Sequence, residues 1–233
     1  MFINNRVIFK DDTSFSDISA ILSDPYFGEV ELDLVENQDA LYIGSDLPFN
    51  NRFLMLGKKN VIEGEISVAI WDGTQFSACE DVQDFTSVGG VPFARNGLIR
   101  FALPQNIGWG KVYDSSEIPE LASLKSKANY WAKITIDDDF VFDLKYVGFR
   151  FARDADLNSY YKDLLKPDMM RAVNGGVPML DWDAFHVLAA EEIIRDLRAD
   201  QIVFSGNNVL DPETFTDAAT HKVAEMAFSQ LQN

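Results

Sequence analysis

The densest group of potential ligands in this chain is Asp137-Asp138-Asp139, with Asp143 close behind. Hard cations need several converging carboxylate oxygens, and this run supplies them. It lacks the glycine and terminal glutamate of a helix-loop-helix calcium loop, and a solvated turn between strands around Trp131 and Phe142 accounts for the same residues. Glu63/Glu65 and Glu191/Glu192 are the paired carboxylates from which acid–base chemistry could be built. Their spacing does not fix the separation that glycoside hydrolysis requires, and charged surface faces use the same residues. His186 and His221 have no second His or Cys at ligand spacing, which assigns both to a helix surface or an interface.

Other nucleophile and phosphate signatures are incomplete. Ser205-Gly206 follows an apolar run without a Gly-x-Ser-x-Gly elbow. Gly108-Trp109-Gly110 and Gly89-Gly90 lack the Lys-Ser/Thr and the following helix of a phosphate cradle. Cys79 is the only cysteine, so no internal disulfide forms, and Phe76-Ser77-Ala78-Cys79-Glu80 reads as a strand holding a small buried thiol. No catalytic, cofactor-binding or metal residue is therefore assigned, and no enzyme is expected. Trp71, Trp109, Tyr130 and Trp131 form a different kind of candidate, a sugar-stacking platform at one end of a β-sandwich. Core packing is the competing role, and Trp131 on an alternating strand reads as core.

The elements that would hold these residues change character near Ala152. Before it, Glu29–Val35 alternates with Val30, Leu32 and Leu34 on one face, as a half-buried strand does. Further strands are expected at residues 40–44, 53–56, 66–71, 98–102, 130–136 and 146–151, separated by turns at Asp72-Gly73, Gly89-Gly90 and Asn96-Gly97. Ser115–Lys127 reads as a long surface loop. Many short strands without alternating helices predict an antiparallel, jelly-roll-like sandwich over residues 1–152.

Residues 153–233 read as a helical domain of three helices, so the fold class is α+β. Asp156 is expected to cap the first helix, which runs through Leu157 to Leu165 and stops at Pro167. A loop with Asn174-Gly175-Gly176 follows, and Asp181 or Asp183 starts the second helix, with Phe185, Leu188, Ala189, Ile193 and Leu197 as its stripe. Asn207 and Asn208 lie in the next connection, and Asp211-Pro212 opens the third helix. Phe215, Ala219, Val223, Met226, Ala227 and Leu231 form its stripe. Alanines on the last two helices allow a closely packed antiparallel hairpin, which buries too little alone and needs the sandwich or neighbouring subunits.

Charge narrows the partners. With 37 acidic against 20 basic residues the net charge is −17, and no Lys/Arg cluster offers the counterion release that binding to phosphates requires. An acidic wall can still border a DNA passage without adhering to it. The N-terminus lacks the positive start and apolar run of a signal peptide, and no stretch reaches the roughly 20 apolar residues of a membrane span.

Leu41-Tyr42-Ile43-Gly44-Ser45-Asp46-Leu47-Pro48-Phe49-Asn50, followed by Val68-Ala69-Ile70-Trp71-Asp72-Gly73, Tyr130–Ile136 and Lys145–Gly148, resembles β-sandwich segments of tailed-bacteriophage virion proteins. Ala190–Ile194 and Ala218–Ala227 resemble the helical bundle of head-to-tail adaptor proteins, which form a ring beneath the portal. The large sandwich in front departs from simple adaptors. The resemblance implies a non-catalytic neck subunit without cofactor, assembled in the bacterial host cytoplasm into the virion. Its implied partners are identical copies in a ring, portal protein, tail or neck proteins, and DNA passing through the lumen, with no membrane. A glycan-binding sandwich of a tail tip, baseplate or fibre is the alternative.

Overall fold

A computed structural model describes residues 5–103, 107–112, 129–201 and 212–232. The expected loop at Ser115–Lys127, and Ser205, Gly206, Asn207, Asn208 and Asp211, lie outside the described residues. The chain divides into two compact units, Met1–Gly148 and Phe149–Asn233. Among the described residues the first is antiparallel β structure with one short 3-10 turn at Ile21–Ser23, and the second is helical, an α+β architecture.

Among the described residues twelve strands build the first unit: β1 (Asn5–Asp11), β2 (Ser14–Asp17), β3 (Val30–Leu34), β4 (Ala40–Ser45), β5 (Asn51–Leu56), β6 (Ile66–Trp71), β7 (Phe76–Ala78), β8 (Glu80–Asp84), β9 (Gly97–Ala102), β10 (Lys111–Val112), β11 (Asn129–Ile136) and β12 (Phe140–Gly148). They form a seven-stranded sheet in the order β2-β1-β4-β11-β6-β7, with β10 also on β11, and a five-stranded sheet in the order β3-β12-β5-β9-β8. Leu41, Ile43, Val68, Ile70 and Ile134 from the first sheet share one core with Leu32, Leu54, Ile99, Phe142 and Leu144 from the second. Burying those inner faces together supplies the main driving force, at roughly 25 cal/mol per Å² of apolar surface.

The seven-stranded sheet also has an apolar outer face. Ile8, Ala40, Tyr42, Trp71, Val112 and Trp131 cluster there, so β4 is buried along its whole length. Gly44 makes this possible: a Cβ there would lie 2.6 Å from the Trp131 ring. Cys79 sits between β7 and β8, where the chain crosses from one sheet to the other, half-buried against the inner core. Burial pushes its thiol up to about 12, which leaves it protonated at neutral pH.

Two turn expectations resolve differently. Gly73, Gly89 and Gly90 do adopt positive φ. Gly97 instead opens β9, where a Cβ would lie 2.3 Å from the Phe85 carbonyl oxygen, so its glycine answers a close backbone approach. Phe93 takes a left-handed conformation at φ 55° without being glycine. It is held there by the Thr86 hydroxyl, which accepts its N–H at 2.9 Å, and by stacking on Phe142 at 4.2 Å between centroids.

The last strand starts earlier than its sequence signal and ends at Gly148, so Phe149–Phe151 are not strand residues. Phe149, Phe151 and Ala152 pack with Ala190, Ile194 and Ala219 inside the helical unit. That unit contains α1 (Asp154–Tyr161), α2 (Pro167–Val173), α3 (Asp183–Ala199) and α4 (Thr216–Leu231), with short 3-10 turns at Lys162–Leu165 and Pro212–Phe215. Asp156 is the third residue of α1 and not its cap: its Oδ2 accepts the Arg153 N–H at 2.8 Å. Pro167 does not end a helix but opens α2 from its first turn, where the missing N–H has no intrahelical partner to lose. The unit thus has four helices among the described residues in place of the three expected.

The Asp72 turn between β6 and β7 generates a pH prediction. Asp72 Oδ1 accepts the Thr74 N–H, the Gln75 N–H and the Thr74 hydroxyl at 2.7–2.8 Å, and Oδ2 accepts the Ser77 hydroxyl at 2.7 Å. The Ser77 hydroxyl and the two amides favour the charged carboxylate, holding its pKa well below the usual range. A carboxyl depressed in the folded state adds stability in full above its unfolded value, about 3.9, and loses it as the pH falls through the folded value. Asp72→Asn is therefore expected to lower the urea midpoint at neutral pH, with the gap from wild type closing as the pH is taken below that unfolded value. An equal gap at all pH values would contradict this.

Candidate functional site

The three consecutive aspartates singled out from sequence are engaged in a turn, whereas Asp143 lies within β12 with its Oδ1 buried and without a hydrogen-bond partner among the described residues. Asp137 Oδ1 accepts the Glu65 N–H at 2.6 Å, Asp138 Oδ1 the Asp139 N–H at 2.8 Å, and Asp139 Oδ1 the Glu36 N–H at 2.8 Å. They tie the β11–β12 turn to two neighbouring loops and point at different amides. Among the described residues no three His, Cys, Asp or Glu side chains are arranged to hold a metal ion. Glu63 and Glu65 are exposed, and Glu192 pairs with Lys222 at 2.9 Å and Arg195 at 3.2 Å, linking α3 to α4. Burial works against the Glu192 charge, but its bonds to Lys222 and Arg195 prevail and leave its pKa lowered.

The four candidate platform rings do not stand out from the surface together. Trp131 and Trp71 are buried in the outer cluster, and Trp71 packs edge-on against Phe76 at 5.5 Å. Trp109 is half-buried, with Phe49 at 4.9 Å and Tyr130 at 5.9 Å. Its flanking Gly110 serves a close approach, since a Cβ there would lie 2.7 Å from the Gly73 nitrogen.

The two histidines have opposite fates. His221 is exposed on α4, where Nδ1 lies 2.8 Å from the Tyr161 hydroxyl beside the Tyr160 and Phe228 rings. Tyr160 donates to Asp217 Oδ1 at 3.1 Å, which raises the tyrosine's pKa. His186 is not a surface residue: it is completely buried. Its Nε2 lies 3.0 Å from Asp154 Oδ1, and that oxygen also accepts the Trp182 N–H at 3.3 Å. Beside it, Arg150 and Asp183 form an ion pair at 2.6 Å with both side chains nearly enclosed.

This group is the most concentrated buried polar chemistry in the helical unit. A histidine held by a carboxylate resembles half of a nucleophile-activating arrangement. Here the other nitrogen, Nδ1, is buried and finds no hydrogen-bond partner among the described residues, and Trp182 is likewise enclosed. The His186 ring is fully buried, and the pair ties the start of α1 to the start of α3. The stripe expected on α3 comprises Phe185, Leu188, Ala189, Ile193 and Leu197; Phe185 and Ala189 are buried as expected, while Leu188, Ile193 and Leu197 are only half-buried. The buried face runs through His186, Val187, Ala190 and Ile194 as well as Phe185 and Ala189. Trp182, adjacent to the helix start, was the available signal: a tryptophan there draws the residue one turn later inward.

No family model, curated protein or solved structure matches this chain.

Removing the Asp154 carboxylate would leave the Trp182 amide and the His186 ring without their acceptor. Asp154→Ala is expected to destabilise the helical unit by about 2 kcal/mol, while Asp154→Asn, which keeps an acceptor oxygen, costs less. Urea unfolding of the full chain followed by the indole NMR signal of Trp182 checks the order. Equal stability of the alanine variant and wild type would refute the tie.

Proposed function

We propose that this chain is a structural subunit of a tailed-bacteriophage virion, a head-to-tail adaptor or neck protein that assembles as a ring of identical copies and borders the DNA passage. The observation that carries the reading is the apolar surface left open on the helical unit. Leu180 is 97% exposed and Val177 60% exposed in the connection before α3, and Phe228 and Leu231 at the end of α4 are also exposed. Contiguous exposed apolar surface marks sites that are covered in an assembly, and Val177 with Leu180 in one connection and Phe228 with Leu231 on one turn of α4 are the candidates for it. In a cyclic ring each contact is heterologous, so such a surface would be buried by the next copy.

Two further features support the reading. The net charge of −17 suits a wall that DNA must slide past without adhering. The likeness of the sandwich and helical segments to virion and adaptor proteins gives the same role. The finer description of the sandwich as jelly-roll-like draws support from the way β3, β4, β5 and β6 alternate between the two sheets. In this reading the partners are the portal and tail or neck proteins, and the location is the virion after assembly in the host cytoplasm.

The glycan-binding alternative has one observation of its own: Tyr26 and Phe27 project from a single turn, 62% and 70% exposed. Aromatic faces of that kind stack on sugar rings.

Light scattering of the full chain, alone and with a portal ring, separates the two. The expected outcome is a closed oligomer in at least one condition, lost in Leu180→Asp without a change in melting temperature. A chain that stays monomeric in both conditions and is retained on a glycan array through Tyr26 and Phe27 would replace the adaptor reading.

A further inference from the structure

We infer that Asn174 is a site of spontaneous covalent modification, deamidation through a cyclic imide formed with Gly175, and that the reaction unties the connection leading into α3. Asn174-Gly175 and Asn96-Gly97 are the two Asn-Gly pairs of the chain. In such a pair the glycine nitrogen reaches the asparagine Cγ with no side chain of its own in the way. The structure treats the two pairs in opposite ways. Asn174 closes the C-terminal end of α2, and Asn174, Gly175, Gly176 and Val177 are all exposed. Gly175 takes φ 62°, and a Cβ there would meet nothing within 4 Å, so the turn has open space around the attacking nitrogen. That nitrogen is held by one long hydrogen bond, its N–H donated to the Ala172 carbonyl at 3.3 Å. Gly97, in contrast, is buried at the start of β9 and paired with Leu54, and Asn96 Oδ1 accepts the Leu56 N–H at 2.8 Å. Attack at Gly97 therefore requires the strand to open first.

The reaction needs only hydroxide and water besides the chain. The Gly175 nitrogen, on losing its proton to hydroxide, forms a bond to Asn174 Cγ; the Cγ–Nδ2 bond breaks and ammonia leaves. Water then opens the imide at either carbonyl, leaving aspartate or isoaspartate at position 174. The nitrogen that leaves is also the one that ties the turn: Asn174 Nδ2 donates to the Val177 carbonyl at 3.2 Å. A carboxylate has no hydrogen to donate there, and it sets a negative charge against that carbonyl oxygen. The Val177 N–H, which donates back to the Asn174 carbonyl at 3.2 Å, loses its support in turn. Isoaspartate also lengthens the backbone by a methylene. This turn presents the exposed side chains of Val177 and Leu180, so the reaction alters a surface and leaves the core of the unit in place. The chemistry is that of the single chain and is independent of the ring reading.

Incubation of the full chain in mildly alkaline buffer, followed by peptide mapping with mass spectrometry, reads both pairs at once. Asn174 is expected to convert at least about tenfold faster than Asn96 in the folded chain, with the two rates converging in urea. Asn174→Gln is expected to abolish conversion at this position on the same timescale, because the longer side chain cyclises far more slowly. In Asn174→Asp, amide hydrogen exchange at Val177 is expected to rise severalfold, while exchange in the interiors of α3 and α4 stays as in wild type and shows that the variant folds. Conversion at Asn174 no faster than at Asn96 in the folded chain would overturn the site. Unchanged exchange at Val177 in Asn174→Asp would overturn the untying.

Discussion

The packing of Trp131 on Gly44 is the contact on which the sandwich is organised. An indole laid across the backbone of the adjacent strand needs a residue without a side chain beneath it, and any Cβ at Gly44 would sit inside the ring's contact distance. With the indole in place, β4 is apolar on both faces, Leu41 and Ile43 inward, Tyr42 outward. Trp71 joins Trp131 on that outer face, since β6 pairs with β11 in the register that sets Ala132 against Ile70. The β4–β11 register, which sets Trp131 against Gly44, also sets Lys133 against Tyr42, with its Nζ 5.7 Å from the ring centroid.

A second constraint acts inside the other sheet. Arg52 on β5 is almost wholly buried, its guanidinium 3.6 Å above the Phe49 ring and donating to Asn5 Oδ1 at 2.9 Å. Burial pulls its pKa down to about 9, against the attraction of Asp46, and the side chain still carries its charge at neutral pH. A buried charge of this kind is tolerated only where hydrogen bonds and an aromatic face replace water, which pins the conformation of the segment around it.

Most strands were legible because alternation and a buried core obey the same period. The strand at 66–71 matched to the residue, and those at 40–44 and 130–136 nearly so, each carrying a run of β-branched or aromatic residues. β1, β2, β7, β8 and β10 were not: strands of four, three and two residues carry no readable period, and β1, with its adjacent apolar run Val7-Ile8-Phe9, and β8, with one apolar residue in five, show no clean alternation. Gly97 was misread because a glycine that admits a neighbouring backbone looks the same in sequence as one that turns the chain. In the helical unit α1, α3 and α4 were legible from their stripes, while α2 was hidden by Pro167, whose meaning depends on whether a helix ends before it or starts at it. The pairing of His186 with Asp154 was invisible for a related reason: the two lie on different helices, and pairing across helices leaves no trace in local spacing.

Function follows from what these interactions leave over. The sandwich closes its inner faces on themselves, and the helical unit ties α1 to α3 through Asp154 while Leu180, Phe228 and Leu231 remain outside. The buried polar groups of the helical unit hold its shape, and the exposed apolar residues are the basis of the ring proposal. Electron cryomicroscopy of particles that carry the chain tests this most directly. The account predicts a closed ring of copies at the head-to-tail junction, with Leu180 and Phe228 buried between subunits and an acidic lumen. Density for the chain at a fibre or baseplate tip, or a ring whose lumen is neutral or basic, would contradict it.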